Sequence, residues 1–173
     1  MKQVTGGVCA AQGFSAAGIH CGIRRNQSKR DLALIYSAVP ASAAAVYTSN
    51  LVKGAPLTVT KAHLADGKAQ AVICNSGNAN TCNADGEEKA YKMCEMTAEK
   101  MGVKPEEILI AQTGVIGQIL PLEPIEAKID ELYEGLSYEG NEKAAIAIMT
   151  TDTVKKEVAV EFELDGKICH VGG

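Results

Sequence analysis

The chain has 173 residues, of which 46% are hydrophobic and 4% aromatic, so one packed domain is feasible and its core must be mainly aliphatic. A net charge of -4 excludes the basic surface of a nucleic-acid-binding protein, and no apolar run reaches the length of a membrane span. The six cysteines show no CxxC spacing, so we expect no metal site and interpret them as small buried side chains of a reducing compartment.

The first 30 residues are rich in Gly and Ala and predict irregular structure around short extended pieces. They contain no apolar run long enough for a signal peptide, and we expect a cytoplasmic protein. A basic cluster is interpreted as a solvated loop, with a phosphate or membrane contact as the alternative; it consists of Arg24, Arg25, Lys29 and Arg30. Residues 32–39 and 43–48 flank a turn-forming Pro-Ala-Ser and predict an antiparallel pair.

Two buried strands and one helix are predicted in the middle of the chain. Residues 69–74 form an apolar run that ends in the NSGNAN sequence at 75–80, which predicts a tight loop because Asn and Gly tolerate left-handed backbone angles. Residues 85–101 show apolar side chains at helical spacing before Gly102. Residues 108–112 predict the second strand.

The last third of the chain predicts a helix and a hairpin. Pro124 suits a first helical turn, and the apolar face that follows is formed by Ile125, Ile129, Leu132 and Leu136. Residues 157–164 alternate apolar and polar side chains, Asp165-Gly166 favours a two-residue turn, and residues 167–171 return. These elements predict an α+β fold, a layered mixed sheet covered by helices. The edge of the last hairpin needs a cover, which we expect either from further residues of a longer chain or from a partner chain.

Three motifs are candidates for chemistry. Gln112-Thr113-Gly114 offers a hydroxyl and an unhindered backbone amide, the donors that acyl transfer needs at an oxyanion, although the spacing alone favours a strand-ending turn. The MTTDT sequence at 149–153 suits an amino-acid substrate or a helix cap. The NSGNAN amides suit a ligand or one another. No histidine belongs to a nucleophile pattern, so a Ser or Cys triad is unsupported.

Six sequence blocks, in this order, carry a resemblance to a known family. The resemblance runs from about residue 4 to residue 173, and the blocks are VTGGVCAAQGFSAAGIH, DLALI, TSNLVKGAP, VICNSGNANTC, QTGVIGQILPLE and AIMTTDTVKKEVAV. In these blocks the chain resembles the ornithine acetyltransferases, also called bifunctional glutamate N-acetyltransferase/amino-acid acetyltransferases.

The resemblance implies an N-terminal-nucleophile-like architecture and a precursor that cleaves itself before a Thr. Residues 1–173 then correspond to the α chain, and the freed Thr of a β chain is the nucleophile. The acetyl group passes from N2-acetylornithine to that Thr and then to glutamate, with ornithine released first, in a ping-pong route without a cofactor. Some members of the family also accept acetyl-CoA as donor.

The resemblance also assigns residues. It places the oxyanion hole on Thr113 and Gly114 and a substrate contact on Thr150, and it implies an α2β2 heterotetramer. A substrate-binding Lys and the cleavage site of the family would follow residue 173, so we expect this chain alone to be inactive. Two rival hypotheses stay open: an amidohydrolase or aminopeptidase of the same fold, and a non-catalytic scaffold subunit.

Overall fold

A computed structural model describes all residues, Met1–Gly173, and contains two sheets. The larger sheet has four strands, which are β2 (Phe14–Ile19), β3 (Leu32–Ser42), β4 (Lys68–Asn78) and β5 (Ile108–Val115), side by side in that order. The first three are antiparallel, whereas β4 and β5 run parallel. The smaller sheet has the order β1-β6-β7, with β1 at Lys2–Val4, β6 at Ala159–Leu164 and β7 at Lys167–Gly172.

Five α-helices cover the larger sheet, and they are α1 (Ala55–His63), α2 (Gly86–Met101), α3 (Glu123–Glu126), α4 (Ile129–Glu134) and α5 (Asn141–Ile148). On one face, α1, α2 and α4 enclose a core of 17 buried residues around Leu34, Ile73 and Ile110. On the other face, α5 packs on the sheet through small side chains. The core there has only 5 buried residues, and Ala16 and Ala33 are two of them. This mixed sheet covered by helices confirms the predicted α+β fold.

Helix α5 approaches the sheet closely because the contacting residues are small. A Cβ on Gly18 of β2 would lie 2.9 Å from the backbone nitrogen of Ala144, inside any normal contact distance. A Cβ on Gly140, just before α5, would overlap the carbonyl oxygen of Ala16. Backbone hydrogen bonds join Ala16 and Ser137 in both directions. The start of α5 is therefore fixed directly to the sheet.

The central helix and the last hairpin confirm their predictions. Helix α2 buries Ala90, Met93 and Cys94 and ends at Gly102, whose φ of 68° is left-handed. Burial raises the pKa of the Cys94 thiol to about 12, which agrees with its interpretation as a small core side chain. In the hairpin, Asp165 and Gly166 both have positive φ, as a tight two-residue turn requires.

The antiparallel pair predicted for residues 32–39 and 43–48 is wrong. Strand β3 continues through Pro40 to Ser42, and its partners are β2 and β4. Proline fits there because the ladder is irregular between Tyr36 and Ala41, so no hydrogen bond from position 40 is needed. The following segment, residues 43–53, has no helix or strand and is largely exposed.

Two further predictions need correction. The NSGNAN sequence is not wholly a loop, because β4 continues to Asn78 beside β5. The helix expected after Pro124 is divided into α3 and α4. No helix in the structure combines the length and the apolar character needed to cross a lipid bilayer.

Candidate functional site

The predicted oxyanion residues lie where the two parallel strands end together. Thr113 of β5 is level with Ser76 of β4, and Gly114 is level with Gly77. Thr113 and Gly114 are both exposed at the surface. In mixed and parallel sheets, ligands commonly bind outside the carboxyl ends of strands. The location therefore suits the role predicted for this pair.

Gly114 occupies a position that only glycine can fill. Its φ is +130°, a backbone angle that side chains disfavour. A Cβ built there would lie 2.7 Å from the backbone nitrogen of Asn78 and would overlap the carbonyl carbon of Gly77. The obstacle is backbone, which cannot rotate aside. The absent side chain thus lets β4 and β5 stay paired to their ends.

Buried side-chain amides hold the strand ends together. Asn80 is fully buried, and its amide nitrogen donates to the Gly86 carbonyl at 2.7 Å and to Gln112 Oε1 at 2.8 Å. Gln112 Nε2 donates in turn to Asn75 Oδ1 at 2.8 Å. Asn75 Nδ2 donates to the Asn78 carbonyl at 2.8 Å. These amides satisfy one another, which was one of the two interpretations of the NSGNAN sequence.

The same sequence also fixes the segment after β5. Asn78 Nδ2 and Asn83 Nδ2 both donate to the Gln118 carbonyl, at 3.0 and 2.6 Å. The Gly117 amide donates to the Thr81 carbonyl at 2.8 Å. Residues 113–118 are exposed, yet their backbone is hydrogen-bonded to a buried framework. A donor carried by this segment is therefore pre-positioned.

Thr150, the predicted substrate contact, follows α5 and is half-buried. Two side chains from the strand-end region bind the last carbonyl groups before it. The Ser76 hydroxyl donates to the Ala147 carbonyl, and the Arg24 guanidinium donates to the Met149 carbonyl. Since Ser76 is level with Thr113, the structure brings Thr150 and the oxyanion pair to one end of the sheet.

The rest of the MTTDT sequence bends without forming a helix or a strand. The Asp152 carboxylate pairs with Lys156 four residues later. Hydrogen bonding to Lys156, the attraction of its charge and the Thr150 amide all lower the pKa of Asp152. Asp152 thus has a local structural role, and the cap or turn interpretation describes it.

Sequence reasoning missed Asp31, whose carboxylate is completely buried. It accepts backbone N–H groups from Cys21 at 2.6 Å, Gly22 at 3.2 Å and Arg24 at 2.8 Å. The solvated-loop prediction is therefore wrong for Arg24, which is half-buried because Asp31 turns its loop inward. The one signal in the sequence was an acidic residue directly before the apolar run of β3.

The histidines have structural partners. His63 is buried and its Nδ1 lies 2.7 Å from the Ile108 carbonyl, while His170 lies beside Glu161. No three His, Cys, Asp or Glu side chains lie close enough together to bind a metal ion.

Two solved structures share this fold. The crystal structure of the arginine biosynthesis bifunctional protein ArgJ from Bacillus halodurans matches with a TM-score of 0.92 and 42% identity, covering 99% of this chain and 90% of that chain. The ornithine acetyltransferase of Mycobacterium tuberculosis, solved with ornithine, matches with a TM-score of 0.89 and 34% identity, covering 99% and 92%. The fold is therefore that of the ornithine acetyltransferase class of α+β proteins.

The sequence comparisons identify the family itself. The ArgJ family model matches residues 15–173. The arginine biosynthesis bifunctional protein ArgJ of Symbiobacterium thermophilum is 45% identical over 174 residues, which cover 99% of this chain but 43% of that protein. This chain belongs to the ArgJ family. It spans less than half the length of the curated relatives it matches.

Proposed function

We propose that this chain is the α chain of an acetyltransferase that moves the acetyl group of N2-acetylornithine to glutamate. The observation that carries the proposal is the exposed Thr113-Gly114 pair, held rigidly at the ends of β5 and β4 in a chain of the ArgJ family. A Thr hydroxyl and a Gly amide are donors suited to a developing oxyanion.

The nucleophile in this proposal is the N-terminal Thr of a companion β chain. Its α-amino group takes the hydroxyl proton, and the hydroxyl oxygen attacks the acetyl carbonyl carbon. Thr113 and Gly114 donate to the oxygen that gains negative charge. The tetrahedral intermediate collapses when its C–N bond breaks and the proton passes to the departing amine, so ornithine leaves and an acetyl ester remains.

The second half of the reaction reverses the first. The amino group of glutamate attacks the ester carbonyl, the same two donors stabilise the oxyanion, and the Thr oxygen leaves and regains its proton. Thr150 contacts the bound amino acid. The acetyl group stays on the protein between the two halves, so no cofactor is required; acetyl-CoA is an alternative donor in this scheme.

Two observations support a companion chain. The solved chains are close to this one in length, since it covers 90% and 92% of them, whereas it covers 43% of a curated relative. That difference fits a precursor that is cut once. Large apolar side chains are also left in solvent, among them Val46 at 99% and Leu51 at 96% exposure. We propose that the β chain covers this surface, within an α2β2 heterotetramer.

The first test is Thr113→Ala in the complete gene product. Loss of one oxyanion donor is expected to lower kcat by about a hundredfold to a thousandfold. Thr113→Ser, which keeps the hydroxyl, should retain most of the activity, and Thr5→Ala, at an exposed Thr outside the site, should match the wild type. Unchanged turnover in Thr113→Ala would remove the oxyanion assignment.

The same preparation separates the rival hypotheses. Acetate released from N2-acetylornithine without glutamate would indicate a hydrolase, because water would then resolve the acyl-enzyme. A copurifying chain that begins with Thr supports the transferase proposal. A stable monomer of residues 1–173 with no companion would indicate a scaffold protein instead.

A further inference from the structure

We propose that Arg24 is a positioning residue that sets the location of Thr150 relative to Thr113 and Gly114. Arg24 touches no substrate in this scheme; it acts through the Met149 carbonyl and so determines how the amino-acid substrate fits. The inference rests on the proposed function, because it assigns Thr150 to substrate contact. Nothing in the family resemblance assigned a role to Arg24.

The backbone around Arg24 is fixed by hydrogen bonds to the Asp31 carboxylate. That buried carboxylate accepts N–H groups from Cys21, Gly22 and Arg24 itself, at 2.6 to 3.2 Å. Three bonds to one charged acceptor hold the loop in a single conformation, since each charged bond is stronger than a neutral one. The side chain of Arg24 therefore starts from a fixed point next to the four-stranded sheet.

The side chain then crosses the strand end beside the oxyanion pair. A Cβ built on Gly77 would lie 2.9 Å from Arg24 Cγ and 3.1 Å from Ile23 Cγ2, so the absence of a side chain at Gly77 makes room for Arg24. Gly77 is level with Gly114 in the parallel pair. The Arg24 side chain thus passes beside Gly77, whose partner in the ladder is Gly114, the proposed amide donor.

The guanidinium group ends at the carbonyl of Met149, the residue before Thr150. Helix α5 ends at Ile148, so the carbonyls beyond its last turn need partners from outside the helix. Arg24 supplies one partner, and Ser76 supplies another through the Ala147 carbonyl. Both donors come from the strand-end region, which links the two parts of the site mechanically.

The position of Arg24 carries a cost that its bond to Met149 has to offset. Its Nε is buried without a hydrogen-bond partner, which is unfavourable for a group with five donors that water would satisfy. An arginine at the surface of the same loop would avoid that cost, as its exposed neighbour Arg25 does. The position makes sense if the bond to Met149 has a function.

The test compares Arg24→Ala, Arg24→Lys and the control Arg25→Ala in the complete enzyme. A hydrogen bond to a charged group corresponds to about tenfold to a hundredfold in affinity, so Arg24→Ala should raise KM for N2-acetylornithine by that factor with a smaller fall in kcat. Arg24→Lys should recover part of the loss, and free guanidinium should partly rescue Arg24→Ala. Arg25→Ala should match the wild type. Equal KM in all variants would overturn the proposal.

A second comparison excludes a merely structural effect. If Arg24 acts through Thr150, Arg24→Ala should add little to the KM increase of Thr150→Ala, because the two changes remove one interaction. Independent, additive increases would contradict the proposal. A crystal structure of Arg24→Ala, or of Arg24→Lys if the first variant folds poorly, should show Thr150 displaced; an unmoved Thr150 would also contradict it. That structural result decides the role of Arg24 even if the wild type transfers no acetyl group, which would refute the proposed function alone.

Discussion

The two parts of the proposed site are held in different ways. Thr113 and Gly114 lie within a strand, where a parallel ladder, a backbone-to-backbone approach at Gly114 and buried amides fix them. Thr150 lies beyond the end of a helix and depends on two side-chain bonds to the carbonyls before it. The first part is over-determined, whereas the second can shift if one contact is lost.

This difference matches what each part has to do. An oxyanion donor must be in place before charge develops, because donors that move during the reaction lose much of their effect. A substrate contact must accept two different amino acids in turn under the proposed ping-pong scheme. Some freedom at Thr150 would serve that purpose, and Arg24 would limit it.

The largest effect is expected for Gly114→Ala, which disrupts the end of β5 that carries Thr113 and Gly114. The added Cβ would meet the backbone of Gly77 and Asn78, so we expect the free energy of unfolding to fall by at least about 3 kcal/mol. Urea unfolding of the complete protein measures this.

Gly117→Ala is the matched control, since Gly117 also has positive φ, at 71°, but no atom lies within 4 Å of its Cβ position. It should lose about 1–2 kcal/mol, the cost of the backbone angle alone. If both variants lose equally, the steric argument for Gly114 fails.

A smaller loss is expected for Asn80→Ala, which removes the central buried amide. Gln112 Oε1 and the Gly86 carbonyl would lose their donor, at a cost of about 1–3 kcal/mol for buried groups left unpaired. Faster hydrogen exchange at residues 112–118 should accompany the loss. Asn26→Ala is the control, because Asn26 is exposed and its side chain binds only Ser28 nearby. If Asn80→Ala changes stability and hydrogen exchange no more than Asn26→Ala does, the buried amides do not hold the site in place.

The smallest effect is expected for Lys156→Ala, in the segment after Thr150. The pKa of Asp152 is lowered chiefly by Lys156, so in the variant it should rise toward its ordinary value. A lowered folded-state pKa stabilises the fold above the unfolded pKa, and that contribution disappears as pH falls through the folded value.

The variant should therefore lose the small contribution that the lowered Asp152 pKa makes to folding stability above the unfolded pKa. NMR titration of the Asp152 carboxyl between pH 2 and 6, a range of about two units around the ordinary value, measures the change. Lys156 is exposed and Asp152 is only half-buried, so salt screens the pair and enzyme activity should not change. An unchanged Asp152 pKa would show that Lys156 is not its partner in solution.

Local patterns were enough to predict much of the fold. Helix α2 has an apolar stripe and a terminal Gly, and the β6–β7 hairpin has strict alternation around Asp165-Gly166, so both were predictable from neighbouring residues. The β3 prediction failed because Pro40 looks like a turn, whereas a ladder irregularity provided by β4 accommodates it. That information lies about 30 residues away in the chain and is invisible locally.

In the candidate site, too, some residues were predictable from their neighbours in the sequence and others depended on distant contacts. Thr113 and Gly114 were candidates because a strand signal runs directly into them, and the structure places them at that strand's end. Arg24 and Asp31 could not be identified as parts of the site. A basic cluster resembles a solvated surface, and only the tertiary contacts of Asp31 and Met149 show that one of its members turns inward.

The two facing glycines differ in how evolution or a laboratory screen could replace them. At Gly77, φ is +114°, so any side chain is strained, but the steric obstacle to a methyl group is partly the flexible Arg24 side chain, and a second mutation that shortens residue 24 would relieve that part of the cost. At Gly114 the obstacle is peptide backbone, and no second-site change of side chain would remove it. A suppressor screen should therefore recover partners for alanine at position 77 and none for alanine at position 114.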